Sequence, residues 1–177
     1  MRSKVHGITI ECITGDIAAQ SDMDAVVNAA NAWLRPGGGV AGAIHRAAGP
    51  GLARECEPLA PIEPGQAVLT EAHNLPNRFV IHCLGPVYGR DEPSGRLLAS
   101  CYHEALNRAE EAGVFSIAFP ALSTGAFGYP LEEAAQVALE TVTHSAPRLE
   151  SLGHIRFVLH SDQDRDIHAR ILEELAE

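Results

Sequence analysis

The sequence predicts an α/β fold: a three-layer α/β/α sandwich around a mixed, largely parallel central sheet. Three observations carry this. Six short apolar runs have the length of strands, helix-like stretches fall between them, and several of the runs are continuously apolar. Strands covered on both faces read as unbroken hydrophobic runs, because neither face meets water. Strands interleaved with helices form layered α/β domains, which bind ligands beyond the carboxyl ends of the strands.

In chain order, Gly7–Ile13 is the first strand and the apolar AVVN run, Ala25–Asn28, the second. Three glycines then precede a helix over about 42–49. Ala67–Thr70 and Phe79–Leu84 follow as strands. A helix over 95–112 is predicted from Leu97, Leu98, Cys101, Ala105, Leu106 and Ala109, which recur at helical spacing, and Gly113 stops it. Ser116–Pro120 is a strand, 131–145 a helix, Ile155–His160 the last strand and 164–176 the last helix. With no repeat or long linker, residues 1–177 read as one domain.

The formal net charge of -10 disfavours nucleic acid as a partner, since that needs clustered Lys and Arg. A small anionic ligand remains compatible, because backbone amides hold phosphate without basic side chains. Cys12, Cys56, Cys83 and Cys101 are far apart and form no C-x-x-C pair, which predicts reduced, buried thiols and a cytoplasmic protein. The first residues lack the apolar stretch of a signal peptide, and no run approaches the ~18 apolar residues of a membrane span.

Gly37, Gly39 and Gly42 spell G-x-G-x-x-G. A dinucleotide loop follows its strand directly, however, and here residues 29–36 intervene. The acids at the expected distance, Glu55 and Glu57, sit at no clear strand end. Gly37–Gly39 serves equally as a mobile turn or as an anion cradle backed by the dipole of the following helix. A second small-residue loop, Ser123, Thr124, Gly125 and Gly128, follows another strand and enters another helix. Alone it is an ordinary capped β-to-α connection. Two such loops on one sheet suggest a diphosphate between them.

The stretches GDIAAQSDMDAVVNAANAWLRPGGGVAGAIHRAAG, NLPNRFVIHCLGPVYG and SIAFPALSTGAFGYP resemble the macrodomain family, in the branch of MacroD-type and viral-like ADP-ribosyl hydrolases. The similarity runs from about Gly7 to Leu175. It implies a macrodomain-like fold with ADP-ribose, ADP-ribosylated protein or O-acetyl-ADP-ribose as ligand, and no cofactor. By resemblance, Asp16 and the Ile17 amide meet adenine, although Asp16 also reads as a helix N-cap. Gly37, Gly38, Gly39, Val40 and Ala41 wrap the distal ribose and phosphate. Ser123, Thr124, Gly125, Ala126 and Phe127 grip the diphosphate, with Phe127 against the distal ribose unless it is a core residue. His160 takes the adenine-stacking position, or is an exposed strand-end histidine. Asn31 reaches the distal ribose, Asn28 ties down loop backbone, and His45 lies behind the first loop.

The resemblance implies removal of mono-ADP-ribose from acidic side chains or deacetylation of O-acetyl-ADP-ribose, with Asn31, Gly39 and Phe127 at the reacting end. Many relatives of the MacroD type carry aspartate where this chain has Ala41. The implied mechanism is therefore substrate-assisted, a ligand phosphate orienting the water, and the alternative is a non-catalytic reader. Poly-ADP-ribose glycohydrolase activity is not expected, for want of adjacent glutamates in a glycine-rich loop. Zinc is not expected either, since the first loop lacks Cys and His ligands and no H-E-x-x-H occurs.

Overall fold

The computed structural model describes residues 1–176 and contains a seven-stranded sheet. The strands are β1 (Arg2–Val5), β2 (Ile8–Thr14), β3 (Ala25–Ala29), β4 (Ala67–Glu71), β5 (Phe79–Cys83), β6 (Ser116–Phe119) and β7 (His154–Leu159). Their order is β1-β2-β7-β6-β3-β5-β4. The inner pairings β2–β7, β7–β6, β6–β3 and β3–β5 are parallel, and the edge pairings β1–β2 and β4–β5 are antiparallel. Helices α1 (Gly39–Ala48), α2 (Pro50–Cys56), α3 (Ser94–Glu111), α4 (Leu131–Ser145) and α5 (Asp162–Ala176) cover the two faces. The predicted sandwich is what the chain forms.

Alternation along the inner strands builds two cores at once. Ala25 and Val27 of β3, Ile117 and Phe119 of β6, and Ile155 and Phe157 of β7 join the larger cluster beneath α3, α4 and α5. Their neighbours Val26, Ala118 and Val158 join a smaller cluster beneath α1 and α2, with Leu34, Ile44 and Leu52. Successive side chains point to opposite faces, so two apolar faces require a continuous apolar run. Phe119 stacks on Phe157 at 5.6 Å between ring centres and tilts against Tyr102 at 5.1 Å. Truncating such a ring to alanine costs about 3–5 kcal/mol.

Two elements depart from the expectation. The first apolar run has a partner, β1, joined through His6 and Gly7, both with positive φ, as a tight two-residue hairpin requires. The predicted helix near 42–49 begins at Gly39 and is followed by α2, only seven residues long. All four cysteines are buried and unpaired. Among the described residues, no helix is long and apolar enough to cross a membrane.

Candidate functional site

β3 and β6 are neighbours, yet the chain leaves them toward opposite faces, into α1 over the smaller core and α4 over the larger. They pair only at Ala25–Ile117 and Val26–Ala118, whereas β3 pairs with β5 from Ala25–Phe79 to Ala29–Cys83. Connections that diverge this way leave a crevice at the strand carboxyl ends.

The connection after β3 is built to expose glycines. Asn31 closes a turn on Arg35, donating from Nδ2 to its carbonyl at 2.7 Å and accepting its amide at Oδ1 at 3.0 Å. Leu34, at φ 55, drops into the smaller core. Trp33 stays exposed, with the Arg35 guanidinium 5.6 Å from its ring centre. Gly37, Gly38 and Gly39 then lie exposed, and Gly39 has φ 57, a conformation that resists any side chain. No side chain caps α1, and its first turn holds no acid. The first helical amide to bond back is that of Gly42, to the Gly38 carbonyl at 3.2 Å. Among the described residues, the amides of Gly39, Val40 and Ala41 have no protein acceptor. These are the orphan donors that make a helix N-terminus attract anions.

The connection after β6 presents a longer run. Thr124 Oγ1 donates to the Ala121 carbonyl at 2.9 Å, and Gly128 and Tyr129 donate back to Gly125 and Ser123. Among the described residues, none of the amides of Ser123, Thr124, Gly125, Ala126 and Phe127 donates to a protein acceptor. Ser123 sits at φ 66, uncommon for a residue with a side chain, and its buried hydroxyl has no partner. A side chain at Gly85 would collide with that hydroxyl. Phe127 is half-buried and packs, like Val40, against the smaller core. Both amide runs therefore border the same apolar floor.

A hollow of about 260 Å³ lies here, lined by Gly15, Asp16, Ile17, Gly39, Val40, Ala43, Pro120, Val158 and His160. Ligand pockets for drug-sized molecules run to roughly 300–1,000 Å³. The hollow is thus smaller than a whole ligand of that size and has room for one end of it. Asp16 is held from behind: its carbonyl accepts Gln20 Nε2 at 2.8 Å, and Gln20 Oε1 accepts Arg156 Nη1 at 2.9 Å. Arg156 is fixed in turn by Glu11 at 2.6 Å and by both oxygens of Asp22. Burial pushes Glu11 up, but hydrogen bonds from Arg156, His154 and Arg2 outweigh it and hold the carboxyl below its usual range. The Arg156 guanidinium holds Asp22 down to about 2.

The hollow gathers Asp16, Ile17, Gly39, Val40 and His160, whereas Asn31, Gly38, Ala41 and the 123–127 loop lie outside its lining. Gly37 lines a separate hollow. Ala41 is buried and offers only its amide. His160 is exposed just beyond β7. Two expectations need correction. Asp16 caps a turn rather than a helix, accepting the Ala18 amide at 2.9 Å through Oδ1. The asparagine that ties down loop backbone is Asn31, while Asn28 is buried and donates to His82 Nδ1 at 3.1 Å. His82 also meets Thr70 at 3.0 Å, and burial drives it down to about 3, so its ring is neutral. His45 is buried with both ring nitrogens unpartnered, and burial lowers its pKa. Sequence reasoning missed Gly15, Ala43, Pro120 and Val158 as lining, although Pro120 and Val158 both lie at strand carboxyl ends, where a ligand crevice forms.

Known proteins resemble this chain over most of its length. The O-acetyl-ADP-ribose deacetylase of Klebsiella pneumoniae is 45% identical over 167 residues, covering 92% of this chain and 95% of its own. An Oceanobacillus iheyensis macrodomain solved with ADP superposes with a TM-score of 0.94 at 37% identity, covering 99% of this chain and 95% of its own. A Trypanosoma brucei macrodomain in complex with ADP-ribose gives 0.83 at 36% identity, covering 91% of this chain and 68% of its own. The Macro domain family profile matches residues 27–138. That span holds both open amide runs, and the chain belongs to the macro domain family.

Proposed function

We propose that the chain binds ADP-ribose in this crevice and hydrolyses its esters, releasing mono-ADP-ribose from modified Asp or Glu side chains and acetate from O-acetyl-ADP-ribose. The observation that carries the reading is the pair of open amide runs, 39–41 and 123–127, each following an inner strand and each bordered by a residue, Val40 or Phe127, packed on the smaller core. Adenine lies in the hollow, where the free oxygen of Asp16 accepts its amino group, the Ile17 amide donates to a ring nitrogen and His160 flanks the ring. The diphosphate spans the two amide runs. The distal ribose lies by Asn31, Gly37 to Gly39 and Phe127. The ligands and the deacetylase name of the relatives support the same reading.

In hydrolysis, a water oxygen adds to the ester carbonyl carbon and one of its protons passes to a ligand phosphate oxygen. The bond from that carbon to the ribose oxygen then breaks, the ribose oxygen takes the proton from the phosphate, and the carboxylic acid formed leaves and ionises, giving its remaining proton to solvent. The chain orients the ribose, and its amides balance the charge that grows on phosphate and carbonyl oxygens. Four buried thiols fit a reducing compartment, and we place the protein in the cytoplasm.

One observation favours a second reading, a non-catalytic reader. The acid and imidazole lining the hollow, Asp16 and His160, stand at the adenine end, and position 41 is alanine. Incubation with a Glu-linked, ADP-ribosylated protein decides between them. Release of ADP-ribose at neutral pH is expected, and tight binding without release leaves a reader.

A further inference from the structure

A second hollow of about 390 Å³ lies behind the glycine loop, lined by Pro36, Gly37, Gly42, His45, Arg46, Gly49, Pro50 and Ala53. Gly37 faces this hollow and Gly39 the first one. Two residues of chain span at most about 7 Å, so the two spaces are separated by little more than the thickness of the loop. His45 is 6% exposed and lines the second hollow with neither ring nitrogen bonded. Arg46 folds along the foot of the loop, its Nη1 within 3.0 Å of where a side chain on Gly42 would begin. A side chain at 42 would first collide with the Gly37 carbonyl, so glycine there keeps the loop packed on α1 as well as leaving the guanidinium its place.

The charge here opposes that of the whole molecule. Between Asp24 and Glu55 the chain holds Arg35, Arg46 and Arg54 and no acid, within a protein of net charge -10. Among the described residues, the arginines paired with carboxylates are Arg2, Arg90, Arg108, Arg156, Arg165 and Arg170. Arg46, which lines this hollow, is not among them, nor are Arg35 and Arg54, the chain neighbours of the lining residues Pro36 and Ala53. Glu55, the next acid, is occupied by His73 at 2.7 Å and by the Glu71 amide.

We propose that this hollow docks the acidic peptide segment that carries the ADP-ribose, so the protein selects modified carboxylates with acid-rich flanks. The proposal rests on the reading of the crevice given above. With the distal ribose against the glycine loop, a chain attached to it leaves across Gly37 toward Arg46. Flanking Asp and Glu side chains meet the unpaired, exposed guanidinium of Arg46, with Arg35 and Arg54 adding positive charge from neighbouring positions. An acidic peptide complements the patch, while a nucleic-acid backbone would also face the acidic remainder of the molecule.

Calorimetry on the whole protein tests this with four probes: free ADP-ribose, a hydrolysis-resistant amide-linked ADP-ribosyl peptide flanked by Asp and Glu, the same peptide flanked by Lys, and a single-stranded oligonucleotide. The acid-flanked peptide is expected to bind about tenfold more tightly than the Lys-flanked one, a preference that shrinks with salt. Arg46→Glu is expected to abolish the preference and leave free ADP-ribose affinity unchanged. Equal affinities of the two peptides in the wild type overturn the proposal while leaving the crevice reading intact. So does an Arg46→Glu effect equal on all ligands, or Arg46-dependent oligonucleotide binding without peptide discrimination. Failure of free ADP-ribose to bind sinks both readings.

Discussion

Residues 150–152 and residues 123–127 both present consecutive backbone amides near the protein surface, and the chain treats them differently. Near the end of α3, Glu110 reaches the first run and accepts from the amides of Glu150 at 2.6 Å, Ser151 at 3.0 Å and Leu152 at 2.8 Å. The hydroxyl of Ser151 adds a further bond at 2.9 Å. The second run receives no side chain at all. Among the helices, α4 and α5 carry acids in their first turns, whereas α1, α2 and α3 carry none. At 150–152 the molecule supplies its own carboxylate, and at 123–127 it leaves the donors open for the ligand phosphate proposed above.

The largest expected effect comes from making the open run resemble the closed one. Gly125 has open space around it and no left-handed φ, so a side chain fits there. Gly125→Glu supplies an internal carboxylate and is expected to weaken ADP-ribose binding roughly 100-fold by calorimetry, since like charges brought together cost several kcal/mol. Its unfolding midpoint should stay near that of the wild type. The reverse change, Glu110→Ala, strips the acceptor from three amides. It is expected to cost about 2–3 kcal/mol of stability, a drop of roughly 5–10 °C in Tm, with ADP-ribose affinity untouched.

A smaller effect is expected of Asp16→Ala, which removes the acceptor at the adenine end. Binding should weaken by about 1–3 kcal/mol, read as the loss of affinity for ADP-ribose. Asn31→Ala opens the turn on Arg35 and is expected to lower turnover more than affinity, since it releases the glycine loop beside the ribose. The smallest effect lies in acid. Burial raises Glu110, but hydrogen bonds from the amides of Glu150, Leu152 and Ser151 and from the Ser151 hydroxyl outweigh it and hold its pKa below the usual value. A depressed carboxyl contributes stability above its unfolded pKa and loses it as pH falls through the folded value. Unfolding free energy measured below about pH 4.5 should therefore fall less steeply in Glu110→Gln than in the wild type.

The sequence made the inner sheet legible because strands apolar on both faces are written as unbroken runs, as in Ala25–Val27 and Phe79–Ile81. It hid β1, whose RSKV has the composition of a loop and becomes a strand only by pairing with β2. It hid α2, too short for helical spacing to declare itself. The glycines of both loops were visible, and so was the candidate cradle. Whether their amides were already spoken for was not, because Glu110 lies forty residues from the Glu150 amide it satisfies. The backbone-tying role expected of Asn28 falls to Asn31 for a related reason: the partner of Asn28, His82, is distant in sequence and near only after folding.

Backbone amide NMR shifts upon titration with ADP-ribose read the central claim residue by residue. Large shifts at 39–41 and at 123–127 together, with 150–152 unmoved, are what the account predicts. Saturable binding that leaves either of the two open runs unshifted would contradict it.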